Sequence, residues 1–153
     1  MLTYTNPGSA ILYGTELEFR KKVTEWIDVY TNVSVMNSEV EVNGEKRQLQ
    51  GQSNYVLNTG VNLNKGDNTV NLTYNRVGDR ISAVGFQGYP DIYENSRDVL
   101  DITFLRKLKN GEIKLAIGDI FAQPSVYYQK LQNRNLIKTN NEQTISLTLN
   151  LNL

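Results

Sequence analysis

Strict alternation of apolar and polar residues is the feature that most limits what this chain can fold into. It is clearest in the segment 145–153, "ISLTLNLNL", where isoleucine or leucine occupies every odd position and serine, threonine or asparagine every even one. Successive side chains of a β-strand point to opposite faces of a sheet. The segment is therefore predicted to be a strand with one apolar and one polar face.

The same period of two recurs in six earlier segments, whereas no segment shows convincing helical periodicity. These segments are 11–21, 27–36, 54–64, 70–75, 99–104 and 113–118, and "LTYT" at 2–5 is a candidate end of an eighth strand. A short helical turn at 23–26 remains open. The predicted fold is an all-β antiparallel meander of about seven to eight strands, within one domain spanning residues 1–153.

The connections between these segments alternate strictly in length. Short connections at 21–26, 65–68 and 107–111 alternate with long ones at 42–53, 77–97 and 119–143. All short turns should therefore lie at one end of the sheet and all long loops at the other. This asymmetry is typical of bacterial outer-membrane β-barrels, and it predicts a curved wall of such a barrel, open at its two outermost strands.

Composition excludes several other classes of protein. The chain has no cysteine and no histidine, so disulfides, thiolate chemistry, imidazole bases and the usual zinc sites are excluded. Its 16 basic and 16 acidic residues cancel, which argues against nucleic-acid binding. The mean hydropathy of −0.44 goes with the lack of a stretch of roughly 20 apolar residues, the length of a membrane-spanning helix. No signal peptide is visible, so we expect either a cytosolic protein or a piece of a larger precursor.

Aromatic residues on the apolar face suggest a membrane environment. They form two groups, one near the long loops and one near the short turns, as expected for the two interfaces of a bilayer. An alternative is that tyrosine and phenylalanine are simply good strand formers. The candidate aromatic girdle consists of Tyr13, Tyr55 and Tyr74 at the long-loop end, and Phe19, Phe104 and Trp26 at the short-turn end.

Several stretches together resemble a known family. They are "SAILYGTELEFRKK", "LQGQSNYVLNTGVNL", "LTYNRVGDRISAVGFQGYPDIYENSRDVLDITFLRKL" and "GEIKLAIGDIFAQP". From residue 9 to 153 the chain resembles the C-terminal barrel strands of TonB-dependent outer-membrane receptors of the Bacteroidetes type. The resemblance implies a 22-stranded barrel filled by a plug domain, and energy-coupled uptake of a ligand bound outside. The implied partners are outer-membrane lipid, the rest of the barrel and plug, TonB through that plug, and a surface lipoprotein.

The chain departs from the family pattern in several ways. It contains no plug, no coupling box and only about seven of the strands, and it ends in Leu153 where the family usually ends in an aromatic residue. We therefore interpret it as the C-terminal part of such a receptor. One alternative is a self-contained eight-stranded outer-membrane barrel with a structural or adhesin-like role. A soluble β-sandwich binding module is a more distant one.

The stretch "VGFQGYPDIYE" at 84–94 looks at first like a ligand-binding loop. It lies in the second long connection, and the prediction is a structured outer loop that chiefly shapes the rim of the barrel. Its candidate ligand contacts are Phe86, Tyr89, Asp91 and Tyr93. An acidic run, Asp91, Glu94, Asp98 and Asp101, has oxygen ligands suited to calcium, but its spacing matches no compact calcium loop. We expect no catalytic residues, no metal site and no cofactor.

Overall fold

The computed structural model describes residues 9–42, 44–85, 88–130 and 134–152. Every element that lies wholly within these ranges is a β-strand, and the ranges contain no helix long and apolar enough to cross a membrane. The strands are β1 (Ala10–Thr24), β2 (Ile27–Val42), β3 (Glu45–Arg47), β4 (Tyr55–Lys65), β5 (Asn68–Val77), β6 (Arg80–Ala83), β7 (Ile92–Glu94), β8 (Arg97–Leu108), β9 (Gly111–Gly118), β10 (Ser125–Gln129), β11 (Arg134–Thr139) and β12 (Thr144–Leu151).

Seven long strands form one antiparallel sheet, in the order β1-β2-β4-β5-β8-β9-β12, and β3 pairs with the end of β2. We call the seven strands the meander, because neighbours in the sheet follow one another along the chain. This confirms the antiparallel all-β prediction. No helical turn forms at 23–26. Instead β1 continues to Thr24 with a register shift after Lys22, and a tight turn leads into β2. The candidate strand at 2–5 lies outside the described residues.

The pairing register places the predicted apolar residues of the meander on one face. In one row of directly opposed residues, this apolar face carries Ile27, Leu63, Val70, Phe104, Leu115 and Leu147, from β2 to β12. At the edges of the sheet, this row is not covered by other parts of the described structure. Leu147 of β12, for example, is 69% exposed. The face thus carries an apolar band that crosses the sheet from β2 to β12, whereas polar side chains occur on it towards the long loops.

The opposite, polar face is organised by hydrogen bonds across the strands. The ring of Tyr30 lies over Gly60, where a Cβ would come within 2.5 Å of the ring, and its hydroxyl is 3.2 Å from Oγ1 of Thr73. A ring that covers a strand glycine compensates for the missing side chain. Farther along, the amides of Asn75 and Asn58 bond to each other. This face therefore consists of neutral hydrogen-bonding groups over much of its middle.

The long connections contribute a second sheet that the periodicity did not predict. Four short strands pair antiparallel in the order β11-β10-β7-β6, and we call this unit the loop sheet. Its strands come from the second and third long connections, which join at the β7–β10 pairing. The prediction of about seven to eight strands is therefore right for the meander and too low for the whole chain. Strands of three to six residues carry too few alternations to be recognised.

The most deeply buried side chains among the described residues lie where the loops meet the long strands. Ile81 of β6 is only 1% exposed, and Val40 near the end of β2 is also buried. Two buried serines link the first long connection to its surroundings. Ser38 Oγ accepts a bond of 3.0 Å from the backbone N–H of Leu49, and Ser53 Oγ donates a bond of 2.8 Å to the carbonyl of Gly78. The core thus sits beneath the loops and not on a face of the meander.

Candidate functional site at the loop sheet

The loop sheet is the candidate functional site because three long connections converge on it. The first connection reaches the second through the bond from Gly51 N to Ile81 O, 2.8 Å, and through a bridge between Ser53 and Arg80. The second reaches the third through β7 and β10 and through the bond from Asn95 N to Val126 O, 2.9 Å. The loops therefore form one connected platform at the long-loop end.

The backbone at Gly85 lies so close to that of Tyr89 that only a residue without a side chain fits there. A Cβ at this position would lie 1.9 Å from the carbonyl oxygen of Tyr89. Gly88 has a φ of +83°, a left-handed conformation that glycine adopts without steric cost. The chain then enters β7, which pairs with β6 and β10. The described part of the stretch, residues 84–85 and 88–94, is thus joined to the loop sheet through β7.

The four candidate ligand contacts have different surroundings. Phe86 lies outside the described residues. The side chain of Tyr89 is 75% exposed, so it is accessible to a partner. Asp91 is engaged inside the protein: its Oδ1 accepts bonds of 2.9 Å from Arg47 Nη1 and 2.7 Å from the N–H of Gly85. The structure therefore gives Asp91 a role in holding the loops together.

Tyr93 belongs to a small aromatic cluster that spans β7 and β10. Its ring centroid lies 5.9 Å from that of Tyr128, and Lys130 Nζ lies 4.0 Å above the Tyr93 ring. Tyr128 donates a 3.1 Å hydrogen bond to Oδ2 of Asp79, which is also 3.4 Å from Lys130 Nζ. Burial, followed by the negative charge of Asp79, raises the pKa of Tyr128 above its ordinary value. The cluster combines a hydroxyl, a cation and two rings at the surface of the platform.

The acidic run is divided among separate partners. Glu94 pairs with Arg80 at 2.8 Å, Asp98 with Arg76 at 3.0 Å, and Asp101 Oδ1 accepts a bond of 2.8 Å from the N–H of Asp119. No group of three or more acidic side chains that could hold a metal ion occurs in the ranges that the structure describes. The run therefore fixes loop and strand ends through ion pairs and one hydrogen bond from a backbone N–H.

The tyrosines predicted for the long-loop end of the girdle bond to polar groups on the apolar face. Tyr13 accepts a 2.8 Å bond from the Asn37 amide, and Tyr55 accepts one of 3.1 Å from Arg76 Nε. Tyr74 donates to Asp98, which is also bound by Arg76. Each tyrosine thus presents its ring to the apolar surface and its hydroxyl to a polar partner, the amphipathic placement that tyrosine adopts at interfaces.

The residues predicted for the short-turn end have less uniform positions. Trp26 lies in the turn between β1 and β2 and is 46% exposed, and Phe104 faces Val70 close to the next hairpin. Phe19 and Tyr74 belong to one row of directly opposed residues, in which Thr31 and Thr59 lie between them. Their relative depth in a membrane therefore depends on the tilt of the strands. The two-belt arrangement stays a prediction.

Sequence reasoning missed two features of the third connection. Asp119 and Ala122 have positive φ values of 49° and 45°, which non-glycine residues rarely adopt. They flank a turn closed by the bond from Ala122 N to Asp119 O, 2.9 Å, and the Asp119 carboxylate pairs with Arg97 at 2.6 Å. The pattern "GDIFAQP" carries no glycine at either position, and only Asp119 is of a residue type that favours the left-handed conformation, so the local signal for this turn is weak.

Comparison with protein-family models, with curated proteins and with solved structures found no match to the chain. The features that bear on its function are therefore the two faces of the meander and the loop platform.

Proposed function

We propose that the chain is part of the wall of a β-barrel in the bacterial outer membrane, belonging to a TonB-dependent receptor that takes up a ligand with energy coupling. The observation that carries the proposal is the apolar face of the meander, which remains exposed on both edge strands. β12 presents Ile145, Leu147, Leu149 and Leu151 on that face, each more than half exposed. Lipid is the environment in which such a surface is stable.

The arrangement of the connections supports this assignment. The three tight hairpins join β1 to β2, β4 to β5 and β8 to β9 at one end of the meander, and the long connections lie at the other. In the proposed orientation the hairpins face the periplasm and the loop platform faces the outside. The platform would then form the rim that ligand meets, with Tyr89 and the Tyr93–Tyr128 cluster as its accessible aromatic groups.

The polar face fits the lumen of such a barrel. Neutral groups such as Tyr30, Thr73, Asn58 and Asn75 bond to one another across the strands. A surface whose hydrogen bonds are largely met within the sheet can contact water or a plug domain without burying unpaired charge. The rest of the barrel, the plug, and TonB acting through that plug are the proposed partners, together with outer-membrane lipid and a surface lipoprotein.

Two neighbouring residues of β5 provide a matched test of the proposal. Leu72 lies on the apolar face, and Asn71 lies next to it on the polar face. An arginine near the middle of the lipid-facing surface costs about 2–4 kcal/mol, whereas one in the lumen costs far less. We expect Leu72→Arg to reduce insertion into phospholipid vesicles by roughly 30-fold or more, as these energies imply, and Asn71→Arg to leave insertion almost unchanged.

Other outcomes distinguish the alternatives. Heat-modifiable gel migration of the chain alone in detergent would favour the self-contained eight-stranded barrel, and an upstream reading frame encoding a plug would favour the receptor. Equal insertion of the two arginine variants, or a dispersed monomer in water without detergent, would contradict both membrane assignments.

A further inference from the structure

A pocket opens on the polar face of the meander, where the first long connection meets the long strands. It is an open cavity of about 440 Å³, a size within the range of roughly 300–1,000 Å³ that is typical of small-molecule sites. The middle of this face consists of hydrogen-bonding groups, but one wall of the pocket is aliphatic. We call the cavity the first-loop pocket, and its aliphatic wall is formed by Leu12, Met36, Leu49, Val56 and Val77.

The side chain of Gln52 lines the same pocket and has no hydrogen-bond partner. Within the part of the chain that the structure describes, its Nε2 and Oε1 are both shielded from solvent and both unbonded. Gln50 Nε2, by contrast, donates a bond of 2.8 Å to the carbonyl of Ser82. Arg80 is paired with Glu94 at 2.8 Å. A buried amide without bonds lowers stability, so such a group calls for an explanation.

The backbone on both sides of Gln52 is fixed to the second long connection. Gly51 N donates a bond of 2.8 Å to the carbonyl of Ile81, and Ser53 forms a bridge with Arg80. The three rotatable bonds of the Gln52 side chain allow its amide to turn into the cavity, and no existing hydrogen bond opposes this rotation. The pocket thus combines a fixed backbone with an unpaired donor and acceptor, which is the kind of support that a binding site requires.

The lining of the pocket indicates the class of ligand. A glutamine amide offers a donor and an acceptor side by side, so it can bond the N–H and the C=O of one peptide residue at the same time. The aliphatic wall favours an apolar side chain on that residue. The charge of Arg80 is already paired with Glu94, so it does not favour an anion. Among the described residues that line the pocket, none has an aromatic ring on which a sugar could stack.

We propose that the first-loop pocket binds a short neutral peptide. The Gln52 amide bonds to the backbone of one ligand residue, and an aliphatic side chain of that residue lies against the aliphatic wall. The pocket itself depends on this chain alone. Only the step in which the peptide arrives from outside the cell as a ligand for uptake rests on the proposed function.

Binding of a minimal peptide tests the aliphatic half of the site. The probe is N-acetyl-leucine methylamide, added to the full chain in detergent micelles and followed by the NMR signals of the Gly51 and Ser53 amides. N-acetyl-glycine methylamide lacks the aliphatic side chain, and methyl glucoside offers only hydroxyl groups. We expect the leucine probe to bind at least about tenfold more tightly than either. Leu12→Ala shortens a side chain of the wall that is 55% exposed, and it should reduce the preference for leucine over glycine about threefold. Equal binding of the leucine and glycine probes, or tighter binding of the glucoside, would overturn the proposal.

Gln52→Met tests the amide, because methionine has a similar length but lacks the donor and the acceptor. The matched control is Gln48→Met in the same connection, whose amide donates a 2.6 Å bond to Asn54 outside the lining of the pocket. We expect Gln52→Met to weaken binding of the leucine probe at least about tenfold, the effect of losing two neutral hydrogen bonds, and Gln48→Met to change it less than about twofold. An equal loss in both variants would contradict the assignment of Gln52.

Hydrogen exchange without ligand separates binding from a structural role. Since the Gln52 amide makes no bond in the described structure, Gln52→Met should leave exchange of the Gly51 amide unchanged or make it slower. Faster exchange would mean that Gln52 stabilises the fold, and it would overturn the proposal. All binding is read in micelles. Loss of vesicle insertion with retained peptide binding would therefore reject the membrane proposal and leave this one standing, and insertion without peptide binding would reject this one alone.

Discussion

The ion pair between Arg47 and Asp91 gives the sharpest test of how the loop platform is held together. It joins the first and second long connections at a distance of 2.9 Å, and the two side chains are only 14% and 18% exposed. Asp91→Asn removes the negative charge but keeps an oxygen that can accept the bond from Gly85 N. Removing one partner of a buried pair costs about 3–5 kcal/mol, and the remaining exposure lowers our expectation to about 2–3 kcal/mol.

Hydrogen exchange of the amides in β6 and β7 measures this loss directly. Because local opening of the loop sheet exposes these amides, a loss of 2–3 kcal/mol predicts exchange faster by about 30- to 150-fold. Amides in the middle of β4 and β5 should keep their rates. The matched control is Glu39→Gln, which breaks an ion pair with Lys46 whose side chains are 52% and 64% exposed. Because solvent screens both side chains, this pair contributes little, and we expect less than about a fivefold change.

A double variant completes the test. If Arg47 and Asp91 stabilise the platform through each other, adding Arg47→Met to Asp91→Asn should cost less than the sum of the losses in the two single variants. Two results would show that this ion pair does not hold the first two connections together. One is that Asp91→Asn accelerates exchange no more than Glu39→Gln does. The other is that the loss of stability in the double variant equals or exceeds the sum of the losses in the two single variants.

Three further predictions concern single positions. In a spectrophotometric titration, the phenol of Tyr128 should ionise above its ordinary pKa of about 10. The stability that the neutral hydroxyl contributes is therefore fully present below pH 10 and is lost as the pH rises through the raised pKa. Asp79→Asn should lower the titration midpoint of this phenol. Ala122→Gly should raise the urea midpoint, a gain of about 0.5–1 kcal/mol, because glycine relieves a φ of 45°, and an unchanged or lower midpoint would contradict this. Gly111→Ala should strongly weaken the β9–β12 pairing, since its Cβ would lie 2.0 Å from a backbone carbonyl of β12, whereas Gly66→Ala, with open space around it, should cost only the strain of its φ.

The local part of this fold could be predicted from the sequence, and the long-range part could not. Each meander strand has enough residues to show its alternation, so the sequence could predict the seven segments, their order and their apolar face. The Arg47–Asp91 pair joins residues 44 positions apart, and the Tyr128–Asp79 bond joins residues 49 apart. Neither follows a period. A carboxylate such as Asp91 was predicted as a ligand contact because sequence shows its charge but not the arginine that meets it.

The exposed apolar side chains of β12 determine the solvent in which the long strands are stable. Fully burying a leucine or isoleucine side chain is worth about 1.5–3 kcal/mol. On β12, Ile145, Leu147, Leu149 and Leu151 are 56–69% exposed, so covering this strand's apolar face would gain roughly 4–7 kcal/mol. That gain is comparable with the whole stability of many domains, about 5–15 kcal/mol.

The long strands should therefore unfold or aggregate in water and become stable as detergent rises through its critical micelle concentration. The platform, whose core at Ile81 is internal, should depend on detergent much less. Circular dichroism of the whole chain and hydrogen exchange resolved by strand, followed across that concentration, would separate the two responses. An equal dependence in both units would mean that they fold as one and that the apolar face is not the surface that requires covering.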